Sequence, residues 1–221
     1  YDTVLSQLCE TMNRRILSSP SLNLPTYPDE SIYVPDMLVA IVALKQYSQM
    51  TDERYFPTVE KWIAKARSEW LDEESGLLVS FLNADGTQYA DAPVKGSYSA
   101  LNCYYLTLVA PDFAYEQYTR LKKHLWREGL ISGLCEHQDW TPVLGLDVDA
   151  GPLVFGLSPS GTAFLTGPAT YFEDHVTRTR LLTTAETAGH TIAYAHTRHY
   201  LLAHLALVGE PIMLAMRTHV R

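Results

Sequence analysis

No run of basic residues occurs in this chain. Its 17 Lys and Arg are outnumbered by 25 Asp and Glu, for a net charge of −8 over 221 residues. Phosphate binding needs clustered Lys and Arg, so nucleic acid is excluded as a partner. Long hydrophobic runs are also missing: the longest, Met37 to Leu44, is far too short to span a bilayer. Cysteines number three (Cys9, Cys103 and Cys135), widely spaced and without a C-x-x-C, which argues against a disulfide framework and a zinc ribbon. There is no H-E-x-x-H. The late histidines His190, His196, His199 and His204 do not share one helical face. No metal site is therefore expected. Lys95-Gly96-Ser97 lacks the upstream glycine spacing of a phosphate loop, and GLSPSG at 156–161 fails the nucleophile-elbow pattern, with Pro159 spoiling the turn. The glycines of that segment fit close packing of a helix instead.

What the chain does have is an alternation. Uncharged apolar stretches (37–44, 97–110, 150–169 and, apart from its histidine, 200–209) are each followed by a helix start and a charged amphipathic segment. A helix apolar all round is buried on all sides, and an amphipathic one lies on the surface. The pattern predicts an all-α fold, an α/α toroid or incomplete α/α barrel of alternating inner and outer helices. It is read as a single domain over 1–221, with short β-hairpins in the long loops. A first helix covers 1–18, with Leu5, Leu8, Met12 and Ile16 at helical spacing. A Pro-rich loop follows over 19–35. Inner helices are expected to begin near 36, 97, 150 and 198, and outer ones near 54, after Pro111, after Pro168 and after Pro211. Asp85-Gly86 marks a hairpin turn within 76–96, and 129–149 has the same strand-like character.

The inner-helix starts are roughly 50–60 residues apart, at or above the usual repeat periods, and the excess sits in the loops before them. Loops that long in a compact domain are functional or disordered. Theirs is a chemistry-bearing composition. The first loop delivers Tyr27, Asp29, Glu30, Tyr33 and Asp36: two adjacent carboxylates for acid–base work beside phenols that orient a hydroxylated substrate. Capping and complementing the helix dipole is the alternative role for Asp29, Ser31 and Asp36. The second loop delivers Asp91 and Lys95 just before Ser97. This lysine can bind a substrate anion, pair with a first-loop carboxylate, or simply lie exposed beside a Ser97 cap. Tyr98 follows on the inner helix as a cavity-lining candidate. The third loop is the densest: Cys135, Glu136, His137, Asp139, Trp140, Asp147 and Asp149. Asp147 and Asp149 are placed to face the first-loop carboxylates, unless they alternate along a strand so that only one points inward.

YPDESIYVPDMLVAIVAL, VKGSYSALNCYYLTLV-APDFAYEQY and DVDAGPLVFGLSPSGTAF resemble the α/α-toroid domain of linalool dehydratase/isomerase-like proteins, over roughly residues 20–175. The resemblance implies a toroid whose central cavity holds an alcohol, with side-chain acids and bases adding or removing water and no cofactor. The expected function is thus a cofactor-independent, lyase-like acid–base enzyme acting on a hydroxylated small molecule. Asp29, Glu30, Asp147 and Asp149 supply acid and base. Tyr27, Tyr33, Asp36, Lys95, Tyr98, Cys135 and Trp140 bind the substrate. Two other functions fit the same sequence: a glycan-active toroid, hydrolase or polysaccharide lyase, and a non-catalytic binding or assembly domain of a membrane-anchored protein. The chain opens on Tyr1 rather than Met, which predicts a processed or excised product with any anchor outside it. The apolar edges of an incomplete toroid predict a homo-oligomer or another covering partner. An extracytoplasmic, periplasmic setting is the expectation for the compartment.

Overall fold

The computed structural model describes residues 2–28, 30–90, 93–139, 144–201 and 209–220. Asp29, Asp91, Trp140 and His204 lie outside the described residues. The described chain is mostly helical, with four antiparallel two-stranded pairs.

Helix α1 (Asp2–Ser18) buries Cys9 and Ile16, with Met12 half-buried between them, while Leu8 is exposed. The loop after it is anchored rather than loose. Asn23 is buried and accepts a hydrogen bond from Trp62 Nε1 at 2.9 Å, and Leu24 N donates to Met37 Sδ at 3.2 Å. Strand β1 (Ile32–Tyr33) leads directly into α2 (Val34–Met50), where Pro35 sits in the first turn at no hydrogen-bonding cost. Helix α3 (Phe56–Glu69) buries Val59, Trp62 and Ala66, with Trp62 packed edge-on against Trp70.

Strand β2 (Phe81–Leu82) pairs with β1, Ile32 opposite Leu82 and Tyr33 opposite Phe81, about fifty residues apart in sequence. The Asp85-Gly86 turn is present beside it. Asn83 N donates to Thr87 O at 2.9 Å, and Gly86 sits at φ +87°, where a Cβ would also run into Ser21. Helices α4 (Gly96–Val109) and α5 (Pro111–Leu125) follow as expected. After them β3 (Trp126–Arg127) pairs with β4 (Gly133–Leu134), and β5 (Gly145–Asp147) pairs with β6 (Gly151–Leu153).

The third apolar stretch departs from expectation. It does not become helical at 150, because Gly151 and Gly156 take positive φ and Pro152 faces Leu146 in the hairpin. Helix α6 (Pro159–Tyr171) starts at Ser158, whose hydroxyl caps it by accepting from Gly161 N at 3.1 Å. Pro168 does not open the next helix. It lies inside α6, and α7 (His175–Gly189) begins after Asp174, which caps Thr177 N at 3.0 Å. Where an inner helix is expected to begin, near 198, residues 197–200 form a strand, and residues 202–208 of that apolar stretch lie outside the described residues. Strand β8 (Thr197–Tyr200) pairs with β7 (Thr191–Tyr194), since β-branched and aromatic residues flank a tight turn there. Helix α8 (Gly209–Arg217) closes the described chain.

The uniformly apolar helices contact one another in series, α2 with α4 and α4 with α6, and the amphipathic α8, with Glu210 in its first turn and Arg217 in its last, also packs on α6. The helices α3, α5 and α7 pack against α2, α4 and α6 respectively. Two apolar cores result. One joins α1, α2, α3, the far end of α4 and the start of α5, and the other joins the first half of α4, the rest of α5, α6 and α7. No helix among the described residues is long and apolar enough to cross a membrane.

Candidate functional site

The N-termini of α4 and α6 approach closely. A Cβ on Gly161 would stand 3.1 Å from Ser97 Cα, and one on Gly96 would stand 2.0 Å from Cys135 O. Glu136 occupies this junction with no exposed surface. Its Oε2 accepts from Ser97 N at 3.0 Å and its Oε1 from Ser97 Oγ at 2.8 Å, while Gly96 N donates to its backbone carbonyl at 2.9 Å. Burial raises the Glu136 carboxyl above its ordinary range, against the lowering effect of the Ser97 and Ser158 hydroxyls. A carboxylate at two helix N-termini is stabilised by their dipoles and free N–H groups, and here it fixes the third loop to the start of α4.

Lys95, immediately before α4, is consequently held in place. Its Nζ lies 3.1 Å from both carboxylate oxygens of Asp147 and also bonds Asp149. Both aspartates reach the same lysine. Asp147 ends β5 and Asp149 lies in the turn that follows, which brings both carboxylates round to the lysine, while Leu146 and Val148 are 82% and 98% exposed. The alternative in which only one turns inward is therefore not what the hairpin adopts. Asp147 also accepts from Asp149 N at 2.9 Å and Ala150 N at 2.8 Å. Burial would raise its carboxyl, but these N–H groups and Lys95 outweigh it and hold it below the usual range. Burial likewise works against the Lys95 ammonium, yet its bonds to Asp149 and Asp147 leave its pKa raised. Lys95 thus pairs with the third loop, not with the first.

Three aromatic rings adjoin this charge group. Tyr33 packs edge-on against Phe81 at 5.1 Å and Tyr98 at 6.3 Å, and Phe81 against Tyr98 at 5.3 Å, with Lys95 Nζ 5.9 Å from the Phe81 ring. The Tyr98 phenol lies beside Asp149, and burial first and that carboxylate second raise its pKa strongly. Tyr33 is raised by burial and then by Glu30, Asp149 and Asp36. The two phenols therefore sit between first-loop and third-loop carboxylates and keep their protons through the neutral range.

The other sequence-predicted residues fall at different distances from this group. Glu30 and Tyr33 border an open groove with Asn83 and Tyr89. Asp36 is exposed in the first turn of α2 and accepts from Thr26 Oγ1 at 2.5 Å, which ties the first loop to the helix. Tyr27 is exposed. Cys135 has no exposed surface, and burial pushes its thiol up to about 11, so it lies beneath the group rather than on its open side. His137, whose Nε2 is 3.8 Å from Asp147, and Phe81 join the group although neither was among the residues chosen from sequence. For His137 the signal was its place in the dense third loop; Phe81 is brought in only by the β1–β2 pairing. Among the described residues, no group of three or more His, Cys, Asp or Glu is arranged to hold a metal ion. Neither a family model nor a curated protein matches the chain.

Proposed function

We propose that α2, α4 and α6 are the inner helices of an open α/α toroid and that the group at their N-terminal ends is the active site of a lyase-like acid–base enzyme acting on a hydroxylated small molecule. The observation that carries this reading is the convergence of Asp147 and Asp149 on Lys95, with the Tyr98 phenol beside Asp149. The resemblance to linalool dehydratase/isomerase-like proteins points to the same reaction class.

The arrangement supports a closed proton cycle. Asp149, paired with Lys95, takes a proton from carbon, and that C–H electron pair becomes the new C=C bond. The C–O bond to the neighbouring hydroxyl breaks, and the departing oxygen leaves as water with the Tyr98 proton. Asp149 then returns its proton to Tyr98 beside it. Tyr33 and Glu30 orient the hydroxyl from the other side. A base and an acid side by side are what such a step requires.

The test is incubation with linalool and, separately, with a β-1,4-linked oligosaccharide, reading water loss by gas chromatography and chain cleavage by new reducing ends. Water loss that disappears in Asp149→Asn and Tyr98→Phe, with unchanged melting temperatures, supports the reading. Chain cleavage lost in the same variants transfers the site to the glycan-active class. If neither probe reacts or binds and Asp149→Asn only lowers the melting temperature, the group is a structural ion pair and the enzyme reading is withdrawn.

A further inference from the structure

On the far side of α6 from α4, a cavity of about 260 Å³ opens between α6, α7 and α8. Its walls include Ala163 and Thr166 on α6, Ala185 and Ala188 on α7, and Met213 and Glu210 on α8. The space is open on one side and, among the described residues, walled almost entirely by carbon, which is the setting a small apolar ligand occupies. The α7 face is what keeps it open: Leu181, Ala185 and Ala188 fall at i, i+4 and i+7, with alanine in two places where a larger side chain would close the junction. The wall hydroxyls are already engaged. Thr162 Oγ1 accepts from Leu134 N at 3.0 Å, and Thr184 Oγ1 donates to Ser132 O at 2.6 Å. Glu210, whose Oε1 accepts from Tyr200 N, brings a carboxylate to the edge of an otherwise carbon-lined space.

We propose that this cavity is a binding site for a neutral aliphatic alcohol of about ten carbons, the size scaled from a cavity of about 150 Å³ that holds benzene. The chain fills the space between the three helices, and the hydroxyl donates to Glu210. A carboxylate at the edge disfavours fatty acids, because like charges would meet there. The site does not involve Lys95 or its aspartates, so it stands independently of the acid–base reading.

The experiment is calorimetric titration of the whole chain with 1-decanol, with decanoate as the charged control, and melting temperatures read in parallel. Decanol is expected to bind and raise the melting temperature, and decanoate to bind at least tenfold more weakly. Ala185→Leu fills the cavity and is expected to weaken decanol at least tenfold. Ala188→Val makes the same test with a smaller intrusion should the leucine variant not fold. Glu210→Gln is expected to narrow the gap between decanol and decanoate, and Lys95→Met to leave decanol affinity unchanged. No binding of decanol, or full affinity retained in a folded cavity-filled variant, overturns the site. Equal binding of decanoate overturns the assignment of the head group.

Discussion

Replacing Lys95 by Met tests whether the aspartate hairpin is seated by charge. Methionine keeps the length of the side chain and removes the ammonium, leaving Asp147 and Asp149 together without a cation. Side-chain exposures are 12% for Lys95, 12% for Asp147 and 23% for Asp149, so the group is screened by solvent only in part. Breaking a fully buried pair costs about 3–5 kcal/mol, and partial exposure reduces this to about 2 kcal/mol. Asp147 also keeps its two backbone N–H partners. For a chain of this length about 2 kcal/mol lowers the melting temperature by roughly 4–8 °C. The pH dependence has a defined sign. The Asp147 pKa is held below its ordinary 3.8, so its contribution is present above that value and lost as pH falls through the lowered one. The Lys95 pKa is raised above 10.5, so its contribution is intact below that value and lost as pH climbs through the raised one. Thermal unfolding of Lys95→Met and the parent should therefore differ most on the plateau between these limits and converge in acid. Equal melting temperatures at pH 7, or a gap that persists after both aspartates are made Asn, would refute the argument.

Gly96→Ala forces a Cβ to within 2.0 Å of Cys135 O, a backbone atom that cannot turn away, and is expected to cost about 3 kcal/mol in urea unfolding. Asp174→Ala removes the cap of α7 together with the bonds from Tyr118 Oη and Lys122 Nζ, and should cost about 2–3 kcal/mol, with the loss concentrated in α7 amides by hydrogen exchange. Glu136→Gln removes a titration opposite in sign to that of Asp147. The raised Glu136 pKa gives a contribution present below 4.5 and lost as pH rises through the raised value, so the variant's stability should fall less than the parent's between pH 4 and 7, as followed by denaturant midpoints.

Local signals carried the helices far better than they carried the site. Pro35 and Pro111, each opening a periodic segment, mark α2 and α5 to within a residue or two. The misplaced start of α6 has a local cause. An uncharged stretch says that a segment is buried, not that it is helical, and the capping signal lay at Ser158-Pro159 rather than at Gly151-Pro152. On α3 the wholly buried Trp62 is held by Asn23 of the loop after α1, a contact that no local pattern in α3 announces. In the site, Asp147 and Asp149 were legible as candidates from their place in the dense third loop, but their common direction was not, because it is set by the turn after β5 and not by strand alternation. Lys95 was legible as a candidate, but its partner was not, since which loop it meets depends on the approach of α4 and α6. Phe81 carried no local signal, because its place beside Tyr33 exists only through pairing across about fifty residues.

The two cores share the helix pair α4 and α5: Leu106 and Val109 of α4 and Phe113 and Ala114 of α5 belong to one, and Ala100 and Cys103 of α4 and Tyr118, Leu121 and Leu125 of α5 belong to the other. The described chain is therefore two coupled halves joined through this pair, rather than an undivided whole. Loosening α6 and α7 would expose one flank of α4 and α5 and leave α1, α2 and α3 most of their own core. Because Lys95 leads into α4 while its aspartates hang from the hairpin before α6, the charge group bridges the seam between the halves, and it would part before either core dissolved.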